Sequence, residues 1–137
     1  VWVFFEDKGL NKTSLNFALN EVSNKLHNKT KKRRSKVRSN SLVDIRDIRE
    51  LWREGAIPGA VHAPRGMLEF WVDPQSPYAR DVFQSGKRFI FFCAGGLRSA
   101  LAAKSVQEMG LSPVCHMAGG YSAWKKNDYP TEAKEKK

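Results

Sequence analysis

Apolar residues fall into short runs of strand length, and longer segments of helical spacing separate these runs. The run Phe89-Ile90-Phe91-Phe92 is apolar throughout, as expected for a strand that is buried on both faces. The predicted strands cover residues 42–46, 61–63, 88–92 and 114–117. Because helical segments alternate with these strands, we predict an α/β fold with a small, mainly parallel central sheet and helices on both faces.

The helical segments between the strands have recognisable ends. Asp47 is suited to cap a helix, and Gly55 is suited to end it. An alanine-rich helix that ends at Gly110 follows the third strand. The predicted helices cover residues 48–54, 67–72, 98–109 and 121–126.

The first 41 residues differ from the rest in charge. Thr13 and Ser14 begin an amphipathic helix that is predicted to reach Leu26. Seven of the ten residues over 29–38 are basic, which favours an exposed connector. Contact with nucleic acid or an acidic surface is the alternative, although no aromatic residues are interleaved for base stacking.

Residues 1–41 carry +7 of the net charge of +10, and residues 125–137 carry +2, so the body of the domain over 42–124, with +1, is nearly neutral. We therefore divide the chain into an N-terminal helix plus basic connector over 1–41, a folded domain over 42–127 and a polar tail over 128–137. The tail contains Pro130 and is expected to fray.

Two cysteines give no disulfide framework, which predicts a reducing, cytoplasmic setting. Cys115 lies within a predicted strand and is interpreted as an unreactive core residue. The spacing of Cys93 and Cys115 is not that of a zinc site, and His62 and His116 have no partner at ligand spacing. We therefore predict neither a metal site nor a cofactor.

Cys93 is the strongest candidate for chemistry. It ends a buried strand and is followed by Gly95 and Gly96, after which a helix begins near Arg98. The first N–H groups of a helix have no intrahelical partners, and together with the helix dipole they favour an anion. A cysteine thiolate is stabilised in such a place, and the thiolate is the reactive form.

Other polar residues follow the predicted strands and are expected near the same sheet edge. Asp44 either acts as a general base or, as we favour, holds a neighbouring loop because its carboxylate accepts hydrogen bonds from the N–H groups of that loop. Arg46 is expected to pair with Glu50 at i, i+4 spacing in a structural role. Arg65 follows the second strand and is expected to face the pocket.

Four motifs occur in order between residues 42 and 124: Val43-Asp44-Ile45-Arg46 with Glu50, Gly55-Ala56-Ile57-Pro58-Gly59-Ala60, the loop with Cys93, Gly96 and Arg98, and Ala118-Gly119-Gly120 with Trp124. The third motif has the spacing Cys-x-x-Gly-x-Arg. Together the four motifs resemble the rhodanese-like sulfurtransferase domain, although Ala56 stands where that family usually has histidine in the second motif.

The resemblance implies a three-layer α/β/α fold in which Cys93 carries a sulfane sulfur as a persulfide. A donor such as thiosulfate would supply the sulfur, and a thiol or cyanide would accept it. The substrate-binding N–H groups would come from Ala94, Gly95, Gly96, Leu97 and Arg98. Since Arg98 is the only cation in this loop, recognition of dianionic thiosulfate is less strongly implied than persulfide formation.

Two other functions stay open within the resemblance. Phosphatase relatives have a Cys-x5-Arg loop, whereas residues 93–98 form the shorter Cys-x4-Arg pattern that suits a single sulfur atom. A non-catalytic binding or regulatory module is the second alternative, although many such modules lack the cysteine that is present here. The expected partners are a small-molecule sulfur donor and an acceptor, either a small molecule or a protein, with neither membrane nor nucleic acid.

Overall fold

The computed structural model describes residues 39–136, which form one parallel sheet with helices packed on it. The strands are β1 (Asn40–Asp44), β2 (Val61–His62), β3 (Arg88–Phe92) and β4 (Val114–His116). The α-helices are α1 (Ile48–Glu54), α2 (Leu68–Val72), α3 (Leu97–Glu108) and α4 (Gly120–Lys126). Short 3-10 helices span Arg65–Met67 and Asp81–Gln84. The helix expected over 13–26 and the basic run over 29–38 lie outside the described residues.

The sheet has the order β2-β1-β3-β4, and every neighbouring pair is parallel. Val43 pairs with Val61 on one side and with Phe91 on the other. Ile90 of β3 pairs with Cys115 of β4. Since all four strands point the same way, their carboxyl ends share one edge, and Cys93 directly follows the central strand β3 at that edge.

Side chains that alternate along the strands divide the core into two layers. Val43 and Phe91 pack on one side with residues from α2 and α3, whereas Leu42 and Ile90 pack on the other with residues from α4. Helices therefore cover both faces, and the predicted three-layer α/β/α class with a small parallel sheet is confirmed.

Helix α1 forms where its capping residues predict it. Asp47 Oδ1 accepts the Arg49 N–H at 2.9 Å, and Glu50 Oε2 accepts the Asp47 N–H at 2.9 Å. These two hydrogen bonds complete a capping box. Gly55 ends the helix at a φ of 85°, a backbone conformation that favours glycine.

Two expectations about segment ends were wrong. Strand β1 ends at Asp44 rather than at residue 46, because the Asp44 carboxylate accepts the Arg46 N–H and the chain turns there. The described part of the tail does not fray: Ala56 and Glu132 form an antiparallel bridge, and the Trp124 indole donates to the Pro130 carbonyl at 2.8 Å. Among the described helices, none is long and apolar enough to cross a membrane.

Candidate active site

The Cys93 side chain lies at the end of β3, behind the loop that leads into α3. The residue is 1% exposed, and its Sγ accepts the Gly96 N–H at 3.1 Å. Gly96 has a φ of 101°, which side chains other than glycine rarely allow. The loop therefore curls back so that its amide faces the sulfur, as the sequence predicts.

The first turn of α4 holds the other side of this loop. Tyr121 N–H donates to the Cys93 carbonyl at 2.7 Å, and Ser122 N–H donates to the Ala94 carbonyl at 3.0 Å. A Cβ atom on Gly120 would overlap the Cys93 carbonyl, so the helix start approaches this closely only because residue 120 is glycine. The loop after β3 and the start of α4 therefore meet at the carboxyl edge of the sheet.

Hydrogen bonds lower the pKa of the Cys93 thiol below its ordinary value of 9.0. Burial acts in the opposite direction and raises the pKa. Hydrogen bonds from the backbone and hydroxyl of Ser99, and from the Gly96 and Gly95 amides, outweigh that effect. The site therefore favours the thiolate of Cys93 through dipoles and hydrogen bonds.

Ser99 and His116 complete a polar group behind the sulfur that the sequence analysis missed. Ser99 Oγ lies 3.6 Å from Cys93 Sγ, 3.1 Å from the Gly96 carbonyl oxygen and 3.3 Å from His116 Nδ1. Both residues are buried. The sequence offered one signal for this group, which is that Ser99 follows Arg98 in an otherwise alanine-rich helix.

Arg98 opens the first turn of α3 and binds Glu50 of α1. Its two terminal nitrogens lie 2.8 Å from the two Glu50 carboxylate oxygens. This contact holds the pKa of Glu50 at about 2 and raises the pKa of Arg98 above its ordinary value. The expected pairing of Arg46 with Glu50 is therefore wrong, because Glu50 turns toward the active-site loop.

Arg46 is buried and binds Asp44 instead. Its Nη2 lies 2.7 Å from Asp44 Oδ2 and 2.9 Å from the Gly55 carbonyl oxygen. The guanidinium also stacks on the Tyr121 ring, 4.0 Å from its centroid. Asp44 and Arg46 thus join the end of β1 to α4, beneath the loop that carries Cys93. A positioning role for both residues stays a prediction.

The other side chains and carbonyl groups that were predicted to contact the substrate differ in exposure and in their partners. Leu97 is 83% exposed at the start of α3, whereas the Ala94 carbonyl accepts a hydrogen bond from Ser122 in the first turn of α4. The Arg65 side chain forms an ion pair with Glu69 of α2, and Glu69 also accepts from the Ser105 hydroxyl. Their contacts with substrate stay predictions.

Within residues 39–136, no group of three or more His, Cys, Asp or Glu side chains is placed to hold a metal ion. His62 Nε2 lies 2.8 Å from the Arg46 carbonyl oxygen, so this ring supports the end of β1. Cys93 and Cys115 are both free thiols.

Known proteins with similar sequences include sulfurtransferases, and a similar solved structure is described as a possible tyrosine phosphatase. The mouse (Mus musculus) thiosulfate sulfurtransferase/rhodanese-like domain-containing protein 3 is 27% identical over 99 residues, 69% of this chain and 63% of that protein. The chain thus spans less than two thirds of the mouse relative. The chloroplastic thiosulfate sulfurtransferase 16 of Arabidopsis thaliana is 32% identical over 95 residues, covering 66% of this chain and 78% of the relative.

A solved structure from Rhodopseudomonas palustris, RPA3614, is 60% identical with a TM-score of 0.67, and the match covers 68% of this chain and 70% of that one. It is described as a protein of unknown function and a candidate tyrosine phosphatase. The family model for the rhodanese-like domain matches residues 20–127. Because this match covers most of the chain, the chain belongs to the family of rhodanese-like domains.

Proposed function

We propose that this domain is a sulfurtransferase that carries a sulfane sulfur on Cys93. The observation that carries the proposal is the Cys93 sulfur itself, which accepts the Gly96 N–H at 3.1 Å and has a lowered pKa. A thiolate held by amide and hydroxyl donors is a prepared nucleophile. The named activity of the Arabidopsis and mouse relatives supports sulfur transfer as its use.

The reaction runs in two displacement steps. The Cys93 thiolate attacks the outer sulfur of thiosulfate, the S–S bond of thiosulfate breaks, and sulfite leaves with the electron pair. The product is a Cys93 persulfide, whose terminal sulfur carries the negative charge. Cyanide or a thiolate then attacks this sulfur, and Cys93 leaves as a thiolate. Loop donors stabilise the charge in both forms of the enzyme.

The cations near the loop already have carboxylate partners, which bears on the choice of donor. Arg98 binds Glu50 through both terminal nitrogens, and Arg65 pairs with Glu69. Binding of a dianion would therefore depend mainly on backbone N–H groups and the start of α3. We expect a weak apparent affinity for thiosulfate, and a persulfide donor of lower charge is the better candidate.

A phosphatase is the second candidate, since the Rhodopseudomonas palustris protein at 60% identity carries that description. Phosphate transfer needs an arginine that faces the phosphate oxygens with two N–H groups. Here the corresponding nitrogens of Arg98 face Glu50. Together with the short loop from Cys93 to Arg98, this favours sulfur over phosphate as the transferred group.

Initial rates measured over a grid of thiosulfate and cyanide concentrations test the proposal. A covalent intermediate gives parallel lines in double-reciprocal plots, with thiocyanate and sulfite formed in equal amounts. Hydrolysis of an aryl phosphate is measured on the same preparation. Phosphate release without thiocyanate would transfer the assignment to a phosphatase. The absence of both activities, with a small persulfide as well as thiosulfate as the sulfur donor, would favour a binding module.

A further inference from the structure

Gly96 and Ser99 lie between His116 and the sulfur of Cys93. The Gly96 N–H donates to Cys93 Sγ at 3.1 Å, and the Gly96 carbonyl oxygen accepts the Ser99 hydroxyl at 3.1 Å. His116 Nδ1 lies 3.3 Å from Ser99 Oγ, so the ring contacts the hydroxyl that lies beside the sulfur.

Whether His116 Nδ1 carries a hydrogen determines where the Ser99 hydroxyl can donate its own hydrogen. The Ser99 hydroxyl has one hydrogen, while the Cys93 thiolate and the Gly96 carbonyl are both acceptors near it. If His116 Nδ1 carried no hydrogen, it would be a third acceptor for the same hydrogen. With a hydrogen on Nδ1, the ring donates to Ser99 Oγ, and the hydroxyl can turn its own hydrogen from Gly96 to the sulfur.

We propose that His116 is a positioning residue for the reaction at Cys93. With its hydrogen on Nδ1, it holds the Ser99 hydroxyl so that this group donates to the charged sulfur. This inference rests on the sulfurtransferase function proposed above, and it assigns a role to a residue that the sequence pattern suggests is merely structural.

A role as general base is the competing interpretation of the same contacts. Burial lowers the pKa of His116 to about 4. The ring is therefore neutral at neutral pH and binds an extra proton poorly. Its contribution is a fixed hydrogen bond, so its removal should change the pKa of Cys93.

Three substitutions of His116 distinguish the effect of losing its hydrogen-bond donor from the effect of losing its volume. His116→Leu removes the donor. His116→Asn places an amide nitrogen near the position of Nδ1, whereas His116→Gln places it near Nε2. The readout is the rate of Cys93 alkylation against pH, followed by peptide mapping, which requires no sulfur transfer.

Loss of one hydrogen bond to a charged group should raise the alkylation pKa of Cys93 by about one unit in His116→Leu and His116→Gln. His116→Asn should keep a value near that of the parent. Ser99→Ala should give a similar rise, with little further change when it is combined with His116→Leu. His62→Leu, which removes a ring contact to the Arg46 carbonyl elsewhere, is the matched control.

The proposal is overturned if His116→Gln leaves the pKa of Cys93 unchanged, or if Asn and Gln raise it equally. The comparison of these two polar variants decides the question even where the leucine variant does not fold. If the parent protein transfers no sulfur but the pKa changes follow the expected order, the proposed function fails while the role of His116 stands.

Discussion

The two cysteines of this domain lie on neighbouring strands but in opposite chemical settings. Cys93 follows the last residue of β3, where the Gly96 amide and the Ser99 hydroxyl face its sulfur. Cys115 lies in the middle of β4, opposite Ile90, and packs against the core. Burial acts to raise the pKa of both thiols. At Cys115 it raises the pKa to about 11, whereas at Cys93 the hydrogen bonds outweigh it and the pKa is lowered.

This difference follows from the position of each residue along its strand. Within a parallel sheet, backbone N–H groups are used by the ladder, so a side chain in mid-strand receives none of them. Beyond the strand end, the loop and the start of a helix have N–H groups without intrahelical partners. The same residue type is therefore a core residue in β4 and, in the function that we propose, a nucleophile after β3.

The largest expected effect separates the two thiols by substitution. Cys93→Ser should lower sulfur transfer by more than about 10³-fold, because a serine hydroxyl is not ionised at neutral pH. Cys115→Ala should retain turnover near that of the parent. Steady-state thiocyanate formation measures both. Comparable losses in the two variants would contradict the assignment of a single reactive cysteine.

The next effect tests the loop that makes Cys93 different. Gly96→Val would place a Cβ atom 3.1 Å from the Gly119 nitrogen and would strain a φ of 101°. Displacing an amide donor from the reacting atom should lower turnover by about 10²-fold. Kinetic assays beside thermal unfolding separate this loss from instability.

Gly110→Val is the control for backbone strain. Gly110 has a φ of 100°, and no heavy atom lies within 4 Å of the position of a Cβ there. This variant should lose stability through backbone strain while it retains turnover. Equal turnover in the two valine variants would show that the Gly96 amide does not contribute.

Alkylation of the folded protein compares the thiols directly. With one pKa below 9.0 and the other at about 11, the thiolate fractions differ by about 100-fold or more at neutral pH. The weaker nucleophilicity of the more acidic thiol reduces the expected ratio of rates to about 10-fold. Labelling is followed by mass spectrometry of the two cysteine peptides, and equal rates would refute the comparison.

The smallest effect concerns the ion pair that attaches α3 to α1. The pKa of Glu50 falls from 4.5 to about 2, so its stabilisation is complete above about pH 4.5 and is lost as the pH falls through 2. Because the Arg98 side chain is 44% exposed, Glu50→Gln should lower the free energy of unfolding by only about 1 kcal/mol at pH 7.

Denaturant unfolding at pH 7 and at pH 2 measures this difference, which should shrink at the lower pH. Glu108→Gln removes a looser pair with Lys104, whose charged atoms are 3.8 Å apart. It should cost less stability than Glu50→Gln at pH 7. A larger loss from Glu108→Gln would contradict the importance assigned to the Arg98 contact.

Local sequence determined much of this arrangement. The apolar run before Cys93 predicts a central strand, and Gly96 with the alanine-rich segment predicts a loop that enters a helix. The Asp47 cap and the Gly55 stop likewise act within a few residues of their partners. Such features are predictable because the interacting groups are neighbours in the sequence.

Contacts between distant segments were not predictable in the same way. Spacing suggested that Glu50 would bind Arg46, yet its partner Arg98 lies 48 residues away. His116 reaches Ser99 across the gap between β4 and α3, and Glu132 returns to Ala56. These pairings depend on how the elements pack, which no local pattern specifies.

Mass spectrometry after exposure to thiosulfate tests the central claim most directly. The protein is incubated with thiosulfate, freed of excess donor and digested without reductant, and the two cysteine peptides are compared. We expect the mass of one added sulfur atom on the Cys93 peptide, none on the Cys115 peptide, and its removal by cyanide. Sulfur on Cys115, equal labelling of both cysteines, or no added sulfur from either thiosulfate or a small persulfide donor would contradict the account.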